Sequence, residues 1–125
     1  MQKTILVVDD EPAICALLQL LLSRFTDARI EVAGSASQAL AAADRQPPDL
    51  LIVDWMLGDS HDGLHLARSL QQNNPRLATI VQSGYPCPEL QQRVAALPHA
   101  KFLAKPCATA EFKQAVEELL STAEQ

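Results

Sequence analysis

The stretch Leu50-Leu51-Ile52-Val53-Asp54-Trp55 places four branched apolar residues directly before a carboxylate. Pro47 and Pro48 precede it and Gly58 follows it, so the run has the length of a strand. An apolar run without alternation predicts a strand that is buried on both faces, as in a parallel sheet. Open sheets of this kind carry their chemistry beyond the carboxyl ends of the strands. Asp54 is therefore a candidate functional residue, although an aspartate in a turn after a strand is also common.

Three further apolar runs also end in polar side chains. The runs and the residues after them are 4–8 with Asp9 and Asp10, 78–82 with Ser83, and 101–104 with Lys105. With Asp54 included, the strand ends carry an acidic pair, an acid, a hydroxyl and a lysine, in that order along the chain. A lone serine or lysine would be an ordinary surface residue. The ordered set points to one shared site.

The composition indicates a single globular domain, residues 1–125, whose 48% apolar content is enough for one core. The net charge is −5 and there is no run of basic residues, so the domain is not expected to bind nucleic acid. No apolar stretch has the length of a membrane span. The three cysteines, at positions 15, 87 and 107, have no CxxC spacing and cannot all pair, which predicts a reducing, cytoplasmic environment.

Helical patterns separate the strands. Their expected start signals are Asp9 or Asp10 before Pro12, Ser35 with Gln38, Asp62 before Gly63, and Pro88. Apolar spacing over 112–120 predicts a fifth helix. Five βα units require right-handed crossovers and predict an α/β fold with a doubly wound, five-stranded parallel sheet. Residues 29–32 alternate as in an edge strand, which favours the flavodoxin-like order 2-1-3-4-5.

In this order Asp9, Asp10 and Asp54 come from the first and third strands, which are neighbours. Their carboxylates would converge in one crevice and repel one another unless a cation intervenes. Clustered carboxylate oxygens with room for water suit Mg²⁺ or Mn²⁺. The alternative is that one aspartate of the pair caps the first helix and the other is solvated.

The ordered set resembles the receiver domain of two-component response regulators, over residues from about Lys3 to Leu120. The resemblance implies that Asp54 accepts a phosphoryl group while Ser83 and Lys105 bind its oxygens. It also implies that Mg²⁺ is held by Asp10, Asp54 and the Met56 carbonyl, with Asp9 acting through water. A carboxylate nucleophile that forms an acyl phosphate is an established catalytic strategy. The domain would promote its own phosphorylation and dephosphorylation without being an enzyme toward other molecules.

The resemblance also implies a switch. Phe102 stands three residues before Lys105, where the family carries an aromatic residue that moves with Ser83, although Phe102 also fits an ordinary strand core. Met56 and Tyr85 would flank the hydrolytic water and slow dephosphorylation. The Lys105-Pro106 bond is expected to be cis, since proline is the residue before which a cis bond is cheap.

The implied partners are a sensor histidine kinase or phosphotransfer protein as donor and an output partner at the face of the fourth helix, fifth strand and fifth helix. A second copy of the chain, forming a homodimer, is a further possible partner. The chain departs from the family at Gly58, where proline is usual, and its loop is one residue longer.

Two other readings stay open. A phosphatase of the haloacid-dehalogenase type would want a second aspartate two residues after Asp54, where Met56 stands. A degenerate receiver that only binds partners would not need the complete site. Nucleotide binding has little support, because no GxGxxG or GxxxxGK[ST] motif occurs.

Overall fold

Five parallel strands form the central sheet of the computed structural model, which describes residues 2–57, 61–84, 88–105 and 108–123. The strands are β1 (Thr4–Val8), β2 (Arg29–Ala33), β3 (Leu50–Asp54), β4 (Ala78–Ser83) and β5 (Ala100–Ala104). Their spatial order is β2-β1-β3-β4-β5, and all neighbouring pairs are parallel. The predicted doubly wound sheet and its strand order are confirmed.

Four helices connect the strands, a fifth follows the last strand, and together they cover both faces of the sheet. They are α1 (Pro12–Phe25), α2 (Ala36–Arg45), α3 (Gly63–Asn73), α4 (Pro88–Ala95) and α5 (Thr109–Ala123). Residues of α1 and α5 share one core cluster, and residues of α2, α3 and α4 share the other. We refer to these two sides as the α1/α5 face and the α2/α3/α4 face.

The continuous apolar run of β3 contributes side chains to both core clusters. Leu50 and Ile52 belong to the cluster on the α1/α5 face, and Leu51 and Val53 belong to the cluster on the opposite face. All four side chains are at most 1% exposed. Because successive strand residues alternate between faces, a strand buried on both sides must be apolar at every position.

Two of the expected helix caps are present and one is not. The Ser35 hydroxyl accepts from Gln38 N at 3.2 Å, and the Asp62 carboxylate accepts from Leu64 N at 2.7 Å. The prediction that Asp9 or Asp10 caps α1 is wrong, since Glu11 is the N-cap residue and makes no side-chain cap. Asp9 instead accepts from Glu11 N at 2.9 Å, which shapes the turn before the helix.

A two-residue antiparallel ribbon follows β3 and pairs Met56–Leu57 with His61–Asp62. The ribbon leads directly into Gly63, whose N–H donates to the Trp55 carbonyl at 2.7 Å. A Cβ atom on Gly63 would lie 2.3 Å from the Asp54 carbonyl oxygen. Glycine is therefore required here by the close approach of two backbone segments. The departure noted at Gly58 lies outside the described residues.

The fourth helix is short. It begins at Pro88, as the sequence predicted, and spans eight residues to Ala95. Leu90 and Val94 are buried under it, and Leu97 packs in the same core after the helix has ended. No helix within the described ranges is both long and apolar enough to cross a membrane.

Candidate functional site

Three carboxylates converge at the carboxyl ends of β1 and β3. One oxygen each from Asp9, Asp10 and Asp54 lies within 4.8 Å of the others. Asp9 directly follows β1, while Asp54 ends β3, the strand beside it. Asp9 is 2% exposed, Asp54 is partly buried, and Asp10 faces solvent. The predicted crevice therefore exists, with a closed side and an open side.

The Lys105 side chain reaches this acidic cluster from the end of β5, the edge strand of the sheet. Its Nζ atom lies 2.8 Å from Asp9 Oδ2 and 3.3 Å from Asp54 Oδ2. Burial alone would lower the pKa of Lys105, but the hydrogen bond with Asp9 and the charges of both carboxylates outweigh it and raise the pKa. The lysine is therefore held as a cation between the two acids.

Burial has the largest effect on the pKa of Asp54, whereas the nearby acids together determine the direction of the shift in Lys105. Its burial raises the pKa of the carboxyl group, and the nearby charge of Asp9 raises it further, while Lys105 opposes both. The backbone N–H of Met56 donates to Asp54 Oδ1 at 3.4 Å. Asp54 thus carries a carboxylate whose negative charge is incompletely compensated by the protein itself.

The donor set fits a small divalent cation. The three carboxylate oxygens lie within 4.8 Å of one another, so one small cation could be held by two of them directly and by the third through a water molecule. Three carboxylates and the Lys105 ammonium carry a formal charge of −2, equal and opposite to that of Mg²⁺. Exposed Asp10 leaves room for the water ligands that Mg²⁺ retains.

Ser83 and Phe102 lie on the α2/α3/α4 face. Ser83 is the last residue of β4 and is 1% exposed, and its carbonyl accepts from Lys105 N at 2.8 Å. Phe102 is partly buried and packs against the core cluster that contains Leu90 and Val94 of α4. The two predicted switch residues therefore lie on the same face of the sheet as α4.

Met56 is 56% exposed and lies on the ribbon immediately beyond Asp54. Met56 therefore lies beside the acidic cluster, and its expected role in slowing dephosphorylation stays a prediction. Tyr85, expected to flank the same entrance, and Pro106, expected to follow a cis bond, both lie outside the described residues.

Sequence reasoning missed two residues beside the site. Cys15 is a free, buried thiol whose Sγ donates to the Asp9 carbonyl at 3.3 Å, and burial and then the charge of Asp9 raise the pKa of this thiol. Gln82 is a polar residue that is 4% exposed and pairs in register with Asp54. The sequence offered a signal for Gln82, since it is an amide next to Ser83 in a strand whose other interior residues are Ala, Thr, Ile and Val.

The fold and the strand-end residues together define a flavodoxin-like α/β domain with an acidic site and a paired lysine. The chain belongs to the response regulator receiver family, because the model of the response regulator receiver domain matches residues 5–117. Members of this family are signalling proteins.

Relatives and solved structures agree with this assignment. The chain is 41% identical over 78 residues to the probable transcriptional regulatory protein TcrX of Mycobacterium tuberculosis, covering 62% of this chain and 32% of that protein. It is 40% identical over 72 residues to the alkaline phosphatase synthesis transcriptional regulatory protein PhoP of Bacillus subtilis, covering 58% of this chain and 29% of that protein. The chain therefore matches a third or less of the length of these relatives.

A receiver domain structure from Methanospirillum hungatei JF-1, described as CheY-like, superposes with a TM-score of 0.88 at 26% identity, covering 99% of this chain and 98% of that one. The signal receiver domain of an HD domain-containing protein from Pseudomonas fluorescens Pf-5 superposes with a TM-score of 0.90 at 27% identity, covering 99% and 98%. The fold prediction is thus confirmed over nearly the whole chain.

Proposed function

We propose that the chain is a phospho-accepting receiver, residues 1–125, and that Asp54 takes a phosphoryl group from the phosphohistidine of a sensor histidine kinase or phosphotransfer protein. The observation that carries this proposal is the position of Lys105, whose Nζ lies 3.3 Å from Asp54 Oδ2 and 2.8 Å from Asp9 Oδ2. Because the Lys105 ammonium is held by two acids, it places a positive charge beside Asp54, where the phosphoryl oxygens would arrive.

The transfer is a displacement at phosphorus. A carboxylate oxygen of Asp54 forms the new P–O bond while the P–N bond to the donor imidazole breaks, and the imidazole nitrogen keeps the electron pair and takes a proton. The Lys105 ammonium would move from the aspartates to a phosphoryl oxygen, where it acts as a point charge. The Ser83 hydroxyl would bind another phosphoryl oxygen.

We assign Asp10, Asp54 and the Met56 carbonyl as direct ligands of Mg²⁺, or of Mn²⁺, with Asp9 acting through water. The bound cation would neutralise charge on the phosphoryl oxygens and on the aspartates. Support comes from the 4.8 Å span of the three carboxylates and from the formal charge of −2 that they share with Lys105.

Output would follow from a shift between two conformations of the α4, β5 and α5 surface. Ser83 and Phe102 lie on the face that packs against α4, so a movement of Ser83 toward the phosphate would change the packing of Phe102. The Arg93 guanidinium of α4 lies 3.1 Å from Asp62 Oδ2, which links α4 to the ribbon beyond Asp54. The proposed output partner, or a second copy of the chain, binds at this surface.

The proposal places the domain in the cytoplasm, in agreement with the free thiol of Cys15. It assigns slow loss of the phosphoryl group to Met56 and Tyr85, two bulky side chains without an acid. Met56 also argues against a phosphatase of the haloacid-dehalogenase type, which would want an aspartate at this position.

Mass spectrometry after incubation with phosphoramidate and Mg²⁺ tests the assignment of Asp54. The wild type should gain one phosphoryl group, and Asp54→Asn should gain none. Asp44→Asn, which changes an exposed aspartate of α2, is the matched control and should be labelled like the wild type. An unchanged wild-type mass, or equal labelling of Asp54→Asn, would contradict the proposal.

A further inference from the structure

Asp62 is anchored to the segment that carries Asp54. It is the register partner of Met56 in the two-residue ribbon, and the Met56 N–H donates to Asp54 Oδ1 at 3.4 Å. The residue after it, Gly63, lies so close to the end of β3 that an added Cβ atom would be 2.3 Å from the Asp54 carbonyl oxygen. Asp62 therefore has a fixed position relative to the backbone of Asp54.

The Asp62 carboxylate binds two different helices. Its Oδ1 atom accepts from Leu64 N at 2.7 Å and caps α3, whereas its Oδ2 atom lies 3.1 Å from the Arg93 guanidinium of α4. Among the residues that the structure describes, this ion pair is the one polar side-chain contact that joins α4 to another element. The fourth helix is thus held to the segment of Asp54 by an ion pair as well as by packing.

The packing of α4 rests on a small area. The helix has eight residues, and its buried side chains are those of Leu90 and Val94. A helix of this length is not stable in water without tertiary contacts. The side chains of Arg93 and Asp62 are 38% and 35% exposed, so their ion pair contributes modestly. A modest contribution is nevertheless enough to bias the position of an element that is held by so few contacts.

Two unfavourable features lie beside the segment that follows α4. Thr79 of β4 is fully buried on the α2/α3/α4 face, and its Oγ1 atom has no hydrogen-bond partner within the described ranges. The N–H of Thr79 donates at 2.9 Å to the carbonyl of His99, which adopts a left-handed φ of 55° although it is not a glycine. An unpaired buried hydroxyl and a left-handed residue of this kind both cost stability. These costs suit α4 to a change of position.

We infer that the Asp62–Arg93 ion pair is a latch, which holds α4 against the segment of Asp54 and opposes the movement of α4 that phosphorylation would bring about. The inference deepens the proposed function. It rests on that function for the phosphoryl step, but the restraint of α4 follows from the contacts alone. Because the pair stabilises one of two conformations, its loss should favour the other.

Four variants separate the latch from the other roles of these side chains. Arg93→Gln removes the cation, and Arg93→Lys keeps one. Asp62→Asn removes the charge but keeps an oxygen that can cap α3, since asparagine is a good N-cap residue. The fourth variant combines Arg93→Gln with Asp62→Asn. Arg68→Gln is the matched control, because Arg68 is an exposed arginine of α3 that forms no ion pair with the described residues.

The first measurement is hydrogen exchange of the α4 backbone amides without Mg²⁺ or a phosphodonor. Arg93→Gln and Asp62→Asn should each speed the exchange roughly twofold to fivefold, which corresponds to the loss of a partly exposed ion pair. The double variant should exchange no faster than either single variant, because both changes remove the same contact. Arg93→Lys should exchange more slowly than Arg93→Gln, and Arg68→Gln should match the wild type. Wild-type exchange in Arg93→Gln, or effects that multiply in the double variant, would overturn the inference.

The second measurement is the affinity for beryllofluoride, a phosphoryl analogue, with Mg²⁺ present and Trp55 fluorescence as the signal. Arg93→Gln should bind it roughly twofold to fivefold more tightly than the wild type, because binding no longer has to open the ion pair. Arg68→Gln should bind it like the wild type. A residue that only stabilised the fold would leave the affinity unchanged or weaken it, and either result in Arg93→Gln would contradict the latch. If the wild type does not bind beryllofluoride, the proposed function fails, and the hydrogen exchange still decides whether the pair restrains α4.

Discussion

The ammonium group of Lys105 lies 2.8 Å from Oδ2 of Asp9, although the two residues follow strands at different positions in the sheet. Asp9 is 2% exposed, so this contact pairs a buried carboxylate with the cation. Removing one partner of a buried ion pair lowers the free energy of unfolding, because the remaining charge is shielded from water and has no opposite charge beside it.

Lys105→Met should therefore lower the free energy of unfolding by about 3 kcal/mol in the presence of EDTA. Urea titration followed by the emission of Trp55, the only tryptophan, measures this change. Lys101→Met is the matched control, since Lys101 of β5 pairs with Glu118 at the surface. An exposed pair contributes little, so this control should unfold like the wild type.

Mg²⁺ should recover much of the stability lost in Lys105→Met, because the added cation compensates the same carboxylates. The phosphorylation rate of this variant should nevertheless stay low, since the ammonium is absent from the transition state. Loss of stability that Mg²⁺ does not restore would argue against a common site for the metal and the lysine.

Asp54→Asn should stabilise the metal-free protein at neutral pH. Burial raises the pKa of Asp54, so the folded state binds the proton more tightly than the unfolded state does. The stability that comes from this proton is complete below the unfolded pKa of 3.8 and is lost as the pH rises through the higher folded pKa. The ionised side chain thus costs stability at neutral pH, and asparagine removes that cost.

Thermal unfolding in EDTA from pH 3 to pH 8 would check this sign. We expect the variant to be more stable than the wild type at neutral pH, and the difference in the free energy of unfolding should shrink as the pH falls toward 3. Asp44→Asn in α2 serves as the exposed control. A difference that grows on acidification would contradict the assigned direction of the pKa.

The sheet and the acidic site could be predicted because both follow from the ends of strands. A continuous apolar run such as 50–53 allows only a strand buried on both faces, and strand order then fixes which strand-end residues meet. This reasoning brought Asp54 and Asp9 together correctly. It did not fix the partners within the cluster, because hydrogen bonding of Asp9 to Glu11 N and to Lys105 depends on side-chain directions.

Dependence on side-chain directions and loop contacts also explains why the cap of α1 was predicted wrongly and why the requirement for glycine at position 63 was not predicted. An aspartate before Pro12 fits a helix cap as well as it fits a site, and only its burial over the sheet decides between them. Gly63 was noted as the residue after a cap, while its need for space arises from the Asp54 carbonyl nearby. Contacts of this kind between loops are not encoded in the periodicity of either segment.

Asp10→Asn should weaken Mg²⁺ binding more than it alters the fold. Asp10 is exposed, so the loss of its charge should change the metal-free stability by less than about 0.5 kcal/mol. Its carboxylate belongs to the cluster proposed to hold the metal, and a removed ligand costs affinity. Titration of Trp55 fluorescence with Mg²⁺ should show at least a roughly tenfold rise in Kd, because one charge-assisted contact to the ion is lost.

Glu11→Gln provides the control, since Glu11 is an exposed acid next in sequence but lies outside the cluster. It should bind Mg²⁺ nearly as well as the wild type. Equal loss of affinity in both variants would indicate a diffuse effect of charge in place of direct coordination.

Gly63→Ala should disturb the site by moving the backbone of Asp54. The added Cβ would lie 2.3 Å from the Asp54 carbonyl oxygen and 3.1 Å from Trp55 Cα, and both are backbone atoms that cannot rotate away. Either the start of α3 or the end of β3 must shift, which typically costs about 1–3 kcal/mol. We expect a lower urea midpoint together with weaker Mg²⁺ binding, both read from Trp55.

Gly84→Ala is the matched control, because a Cβ atom there would have no neighbour within 4 Å among the residues that the structure describes. It should leave the urea midpoint of the wild type unchanged, since the residue is exposed and meets no steric barrier. If Gly63→Ala kept both wild-type stability and wild-type Mg²⁺ affinity, the backbone of Asp54 would have to yield without cost. The position of the Asp54 carboxylate would then not depend on the tight contact between β3 and the start of α3.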